Sequence, residues 1–208
     1  MRLPILAAML LLSTTAQAHE IWIERDGTGP ARIYLGEPAE TPPPGGDPEF
    51  AKLKAPHILA QPKVALARRA GFLEAKVPAG DVRAWDDAVF TPWGADGKKE
   101  GVVYYARAGR AEAVAKLPFE LAPVAAGGTR FVLTRDGTPV VGLPVTVIAP
   151  DRSKTELTTD AAGMIDTNPA KPGRYLLVAS KKEDGPITLP GGSAQAVYRI
   201  TTTSFVAP

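Results

Sequence analysis

The sequence predicts an all-β protein of two β-sandwich domains, preceded by a cleaved export signal and interrupted by one short helix. Three observations carry that prediction. Hydrophobic residues make up 45% of the 208 residues, enough to fill real cores, while 20 Gly and 21 Pro break the chain into short pieces. Alternating segments recur at roughly ten-residue spacing, each followed by Gly, Pro or Asp, as strands and tight turns of a sandwich do. No long segment carries the 3.6-residue apolar period of an amphipathic helix. The divisions read from the chain are a signal peptide at 1–18, an N-terminal β domain at 19–124 and a C-terminal β-sandwich at 125–208.

The signal comes first. Arg2 supplies a basic start, Ile5 to Leu12 are almost wholly apolar, and Ala16-Gln17-Ala18 matches the small-x-small pattern that signal peptidase accepts. The apolar run is too short to span about 30 Å of hydrocarbon. The expectation is therefore a periplasmic protein, exported by a cleaved signal and not inserted in the membrane.

After the signal, His19-Glu-Ile-Trp-Ile-Glu24 alternates as a first strand, Arg25 to Pro30 turns, and Ala31 to Leu35 returns as a second strand. Thr41 to Gly46, with three consecutive prolines, continues neither strand nor helix. Asp47 then reads as an N-cap, with Pro48 at the first position of a short helix ending near Leu53. Pro56 stops it, leaving His57 on a loop or at a strand start. Residues 63–77 read as two strands flanking a turn at Gly71. Ala88–Pro92 and Val102–Ala106 read as strands around the charged turn at 95–100. Trp85, Phe90, Trp93, Tyr104 and Tyr105 gather here, and core packing is a commoner use for them than a sugar-stacking platform.

The second half repeats the strand-and-turn rhythm. Thr129 to Thr134, Val145 to Ile148, Thr155 to Thr159 and Lys171 to Ser180 read as strands, with a turn at Arg135 to Pro139. Lys181 to Gly192 reads as a polar loop. Ala196 to Val206 is the last strand, with Thr201, Thr203 and Phe205 on one face and Thr202, Ser204 and Val206 on the other.

Charge and composition exclude several functions. With 24 Lys+Arg against 22 Asp+Glu, the chain lacks the basic excess of a nucleic-acid or anionic-membrane binder. The absence of cysteine removes disulfides, thiolate metal sites and cysteine nucleophiles. There is no Gly-x-Ser-x-Gly, no His-Glu-x-x-His and no phosphate-binding glycine loop, so the expectation is a non-enzyme.

The sharpest chemical feature is His19, which cleavage after Ala18 would leave as the first residue. An N-terminal histidine offers its α-amine and imidazole Nδ1 to one metal ion. The second and last histidine is His57, and if the fold joined the two, three nitrogens would form a histidine brace. Such donors suit Cu(II), Ni(II) or Zn(II), with Cu(II) at the top of the affinity series. Glu37 or Glu20 could complete the coordination. Asp86-Asp87 is rejected as a cation site, because adjacent carboxylates on an extended chain point oppositely.

The segments His19 to Glu24 and Gly29-Pro-Ala-Arg-Ile-Tyr-Leu-Gly-Glu37 resemble the exported family of nickel/cobalt-uptake accessory (NikM-like) proteins, whose function is largely unknown. Leu117 to Pro123, Arg135 to Val145, Thr158 to Gly163 and Lys171 to Tyr175 are similar to that family as well. The same second half resembles a transthyretin-like or carboxypeptidase-regulatory sandwich. The resemblance implies two Ig-like or transthyretin-like sandwiches and, through His19 with Trp22 and Glu24 around it, a bound Cu, Ni or Co ion; the residues themselves put His57 and Glu37 beside His19 as the expected ligands. It also implies service to a metal-uptake membrane transporter or outer-membrane receptor. The chain departs from a transporter component in having no histidine-rich tract and no membrane-spanning segment. Two other readings stand beside this one: a metal-free envelope interaction module, and a copper oxygenase using the same three nitrogens with an open position.

Overall fold

The computed structural model describes residues 19–208, and the export signal expected at 1–18 lies outside them. The protein is all-β and sandwich-like. β1 (Glu20–Glu24), β2 (Ala31–Gly36), β4 (Leu66–Arg69) and β5 (Phe72–Ala75) form one sheet in the order β1-β2-β5-β4. The central sheet has seven strands: β3 (His57–Ile58), β6 (Val82–Asp86), β7 (Glu100–Ala108), β11 (Pro144–Ile148), β12 (Lys154–Thr158), β14 (Gly173–Leu189) and β15 (Gly192–Ala207). Their order is β12-β11-β14-β15-β7-β6-β3. A third sheet pairs β8 (Phe119–Pro123), β10 (Thr138–Pro139) and β13 (Met164–Asp166) with β9 (Arg130–Arg135).

The central sheet buries both faces, because its strands alternate two sets of apolar residues. Val102, Tyr104, Ala106, Leu176, Val178 and Ile200 pack with Ile21, Ile23, Ile33 and Leu35 of the first sheet. Val103, Tyr105, Leu177, Val197 and Phe205 pack on the opposite face with Phe119, Leu121, Phe131 and Leu133 of the third. The alternation read in the last strand is observed: Thr203 donates to the Leu121 carbonyl, whereas Thr202 and Ser204 donate to the Ile21 and Ile23 carbonyls. Those last two bonds show that β1 meets the central sheet with its free edge. Residue 124 falls between β8 and β9, which pair from Phe119↔Arg135 to Pro123↔Phe131. The central sheet takes β3, β6 and β7 from before that residue and β11, β12, β14 and β15 from after it, and β15 runs parallel to β7.

Three local readings are refined. The short helix is a 3-10 turn, Pro48–Lys52, closed by Phe50 N–H to Asp47 and Leu53 N–H to Phe50. Ala88–Pro92 is not a strand; the strand is Val82–Asp86, and the following segment returns through an isolated Trp93↔Glu100 bridge. Lys181 to Leu189 is not a loop but the outer arm of β14, paired with β15 and bulged between Asp184 and Ile187. Gly185 and Pro186 mark that bulge, while Lys182 pairs with Glu100 and Glu183 with Arg135 and Arg199 of neighbouring segments. The turn at Gly71, by contrast, is observed between β4 and β5, with φ at +84°.

One ion network lies in the interior. Glu120 accepts from Arg83 Nε at 2.7 Å, from Arg107 at 2.8 Å and from the backbone N–H groups of Lys116 and Leu117. Arg107 also pairs with Asp81. Glu120 and Arg107 are fully buried, so each charge depends on these partners.

Candidate metal centre around His19

His19 stands just ahead of β1, partly exposed, with its imidazole Nε2 at 3.3 Å from Asp47 Oδ1 and 3.9 Å from Glu49 Oε2. Its ring lies 6.3 Å from that of Phe90, which in turn tilts against Tyr104 on the core. Asp47 is fixed from two sides. As N-cap, its Oδ1 accepts from Glu49 N at 2.7 Å. Against its other side packs Gly36, at the end of β2 and paired with Glu20, where a Cβ would come within 3.0 Å of Asp47 Cβ. Gly36 also has φ +150°, so glycine serves both the backbone and the close approach. Glu49 is held in turn by Lys52 at 2.5 Å, and that ammonium sits 4.5 Å over Phe90.

Two further carboxylates crowd the same end of the first sheet. Burial, and then the Glu37 charge, push the Glu20 carboxyl up to about 8, against the pull of Lys154. Burial raises Glu37 as well, with Glu40 adding to the rise through its charge and a hydrogen bond, while His19 and Lys154 oppose it. Glu37 Oε2 is buried, and the carboxyl is set against that of Glu40. Glu20, Glu37 and Lys154 line a small cavity of about 100 Å³ over Thr146 and Val178.

His57 is elsewhere. It pairs with Trp85 across β3 and β6, and the two rings stack at 4.2 Å. Trp85 packs toward the third sheet, whereas Ile58, the next residue, faces the first. His57 therefore lies on one face of the central sheet and the His19 neighbourhood on the other. Among the described residues no hydrogen bond, ion pair or ring contact joins the two histidines. Nor, among those residues, does any group of three or more His, Asp or Glu side chains converge to hold a metal ion. Coordination at His19 must then draw on the α-nitrogen that cleavage would free.

The structure brings Glu37 toward His19 and leaves His57 apart. It also adds Asp47 and Glu49, which sequence reasoning assigned to helix capping or passed over. The signal for Asp47 was its cap motif; nothing in the chain pointed from there to His19. Tyr104, buried and pushed upward in pKa by burial and by Glu20, Glu49 and Asp86, closes the core beneath. Asp86-Asp87 does not act as a pair: Asp86 is buried and accepts from Ala88 N–H at 2.7 Å, while Asp87 is not buried. Comparisons with known protein families, with curated proteins and with solved structures returned no match for this chain.

Proposed function

We propose that the protein is an exported binding protein for a divalent transition metal, Cu, Ni or Co, held by the mature N-terminal His19. It would serve metal uptake or buffering in the periplasm and hand its ion to a membrane transporter or outer-membrane receptor. The observation that carries this reading is the contact between His19 Nε2 and Asp47. A carboxylate on one ring nitrogen fixes the tautomer and turns the other nitrogen, Nδ1, toward the metal. Nδ1 is the nitrogen that can chelate together with the α-amine of the same residue.

Glu37 is the third ligand in this proposal. Its carboxyl is buried at Oε2 and set against the Glu40 carboxyl, a like-charge pairing that a bound cation would relieve. His57, stacked on Trp85 across the sheet, is the control rather than a ligand. The bound ion would supply only its own charge and coordination, and this chain's residues would bind and orient it.

The test is calorimetric titration of Cu(II), Ni(II), Co(II) and Zn(II) into protein beginning at His19. A second protein carries one alanine ahead of His19. Tight one-to-one binding that the added alanine abolishes, that Glu37→Gln weakens and that His57→Ala leaves alone is the expected result. Equal binding by both proteins, or none, would end the metal reading.

A further inference from the structure

Beside the His19 site, and sharing Glu37 and Asp47 with it, a cleft of about 570 Å³ opens along the outer face of β1 and β2. Its origin is the edge-on docking of β1. Because Thr202 and Ser204 hold the β1 edge over β15, the first sheet covers β15, β7 and β6 and leans away from β14 and β11. Ile148 and Leu176 of those strands, themselves largely buried, form the floor. Trp22 and Tyr34 form the wall, directly opposite in register and stacked at 5.0 Å with 11° between their planes. A strap at Thr41 to Gly46 closes the far side, seated where Gly46 meets Gly71 with no room for a Cβ. The volume lies within the range usual for small-ligand clefts.

The lining narrows the ligand class. At the Trp22 end the charges are matched inside the protein: Glu24 lies 3.6 Å from both Arg32 and Arg174, and Arg174 also pairs with Asp26. Trp22 Nε1 donates to Glu24 at 3.2 Å, which fixes the indole. That end has little net pull on an ion, and the far end, with Glu37, Glu40 and Asp47 against Arg152, repels anions. An added peptide strand is also disfavoured, since the Ile21 and Ile23 carbonyls at the β1 edge are already taken by Thr202 and Ser204. What is left is an aromatic wall flanked by planar carboxylate and guanidinium groups, able to accept from and donate to neighbouring hydroxyls.

We propose that this cleft binds a neutral saccharide, a sugar ring lying against the Trp22–Tyr34 wall while Glu24 and Arg174 bond its hydroxyls. The saccharide reading goes beyond the metal reading and rests on Trp22, Tyr34, Glu24 and Arg174, none of which the metal proposal uses. The test uses the full exported chain in EDTA, so that metal plays no part. Cellotriose, chitotriose, maltotriose and mannotriose are titrated by calorimetry and by tryptophan emission. A proline-rich decapeptide is run as the competing class. The expected result is saturable binding of at least one trisaccharide with a shift in emission. Ala70→Trp, at an exposed turn position on the cleft wall, should weaken it about tenfold or more by filling the site. Trp22→Ala should weaken it similarly where circular dichroism shows the fold intact. Silence from all four sugars, binding indifferent to Ala70→Trp, or response to the peptide alone would overturn the proposal. Metal titration of Ala70→Trp reports on His19 separately.

Discussion

The hydroxyl of Thr202 donates to the carbonyl of Ile21 at 2.7 Å, and Ser204 repeats the contact with Ile23 one pleat along. Through these two bonds the central sheet satisfies the free edge of β1, which carries His19 at its start. Edge-on docking also leaves the cleft between β1 and β14.

Removing these hydroxyls should loosen that docking. Thr202→Val leaves a buried carbonyl unpaired and is expected to cost about 1–3 kcal/mol, with Ser204→Ala similar. Urea denaturation gives the loss. Hydrogen exchange should show β1 amides opening faster while those of β14 stay protected.

Asp47 has two roles that substitution separates. Asp47→Asn keeps a capping oxygen but removes the carboxylate beside His19, so metal affinity should fall about tenfold or more with stability nearly unchanged. Asp47→Ala should lose the affinity and also about 1 kcal/mol of stability. Calorimetry with the preferred metal and thermal unfolding of the same samples check both.

Metal binding should strengthen with rising pH. The α-amine must lose its proton to coordinate, and its ordinary pKa is about 7.7–8.0, so affinity should rise until about pH 8 and then level. Calorimetry in buffers of different ionisation enthalpy should detect close to one proton released per metal at pH 7. A flat pH profile would remove the amine from the ligand set.

Glu120 anchors two buried arginines. Glu120→Ala would strand Arg83 and Arg107 without their shared carboxylate and is expected to cost about 3–5 kcal/mol in a urea melt. Exchanging the exposed Lys99–Asp96 pair should change little.

Glu183 sets part of the acid limit. Burial pushes its carboxyl up, but hydrogen bonds from Arg135 and Arg199 outweigh burial and bring it down to about 2. A folded-state pKa below the unfolded value gives stability that is present above about pH 4.5 and lost as pH falls through 2, up to about 3 kcal/mol. Glu183→Gln should flatten the stability curve over that interval, as denaturation at a series of pH values will show.

Elements whose pattern is local were legible in the chain. The alternation of Ile21 and Ile23 with Trp22, the cap at Asp47, the turn at Gly71 and the two faces of Thr201 to Val206 all follow from side-chain period and turn chemistry. The outer arm Lys181 to Leu189 was not legible, because its inward face begins with Lys181 and Glu183, held by ion pairs rather than apolar contacts, and only Ile187 and Leu189 at its end reach the core. Nor was Val82–Asp86, whose Arg83 and Asp86 are polar yet buried, each held by partners far along or just after it in the chain.

By itself, then, the sequence determined an all-β chain, its turns and the presence of only two histidines. Each of these depends on residue type or on neighbours a few positions away. Which face of the central sheet each histidine takes was a tertiary decision, since it follows from the pairing of His57 with Trp85 and from the seating of β1 on β15. So was the meeting of His19 with Asp47, which requires Gly36 to leave room. Contacts of that kind depend on strand order and close packing between distant segments, and no local pattern encodes them.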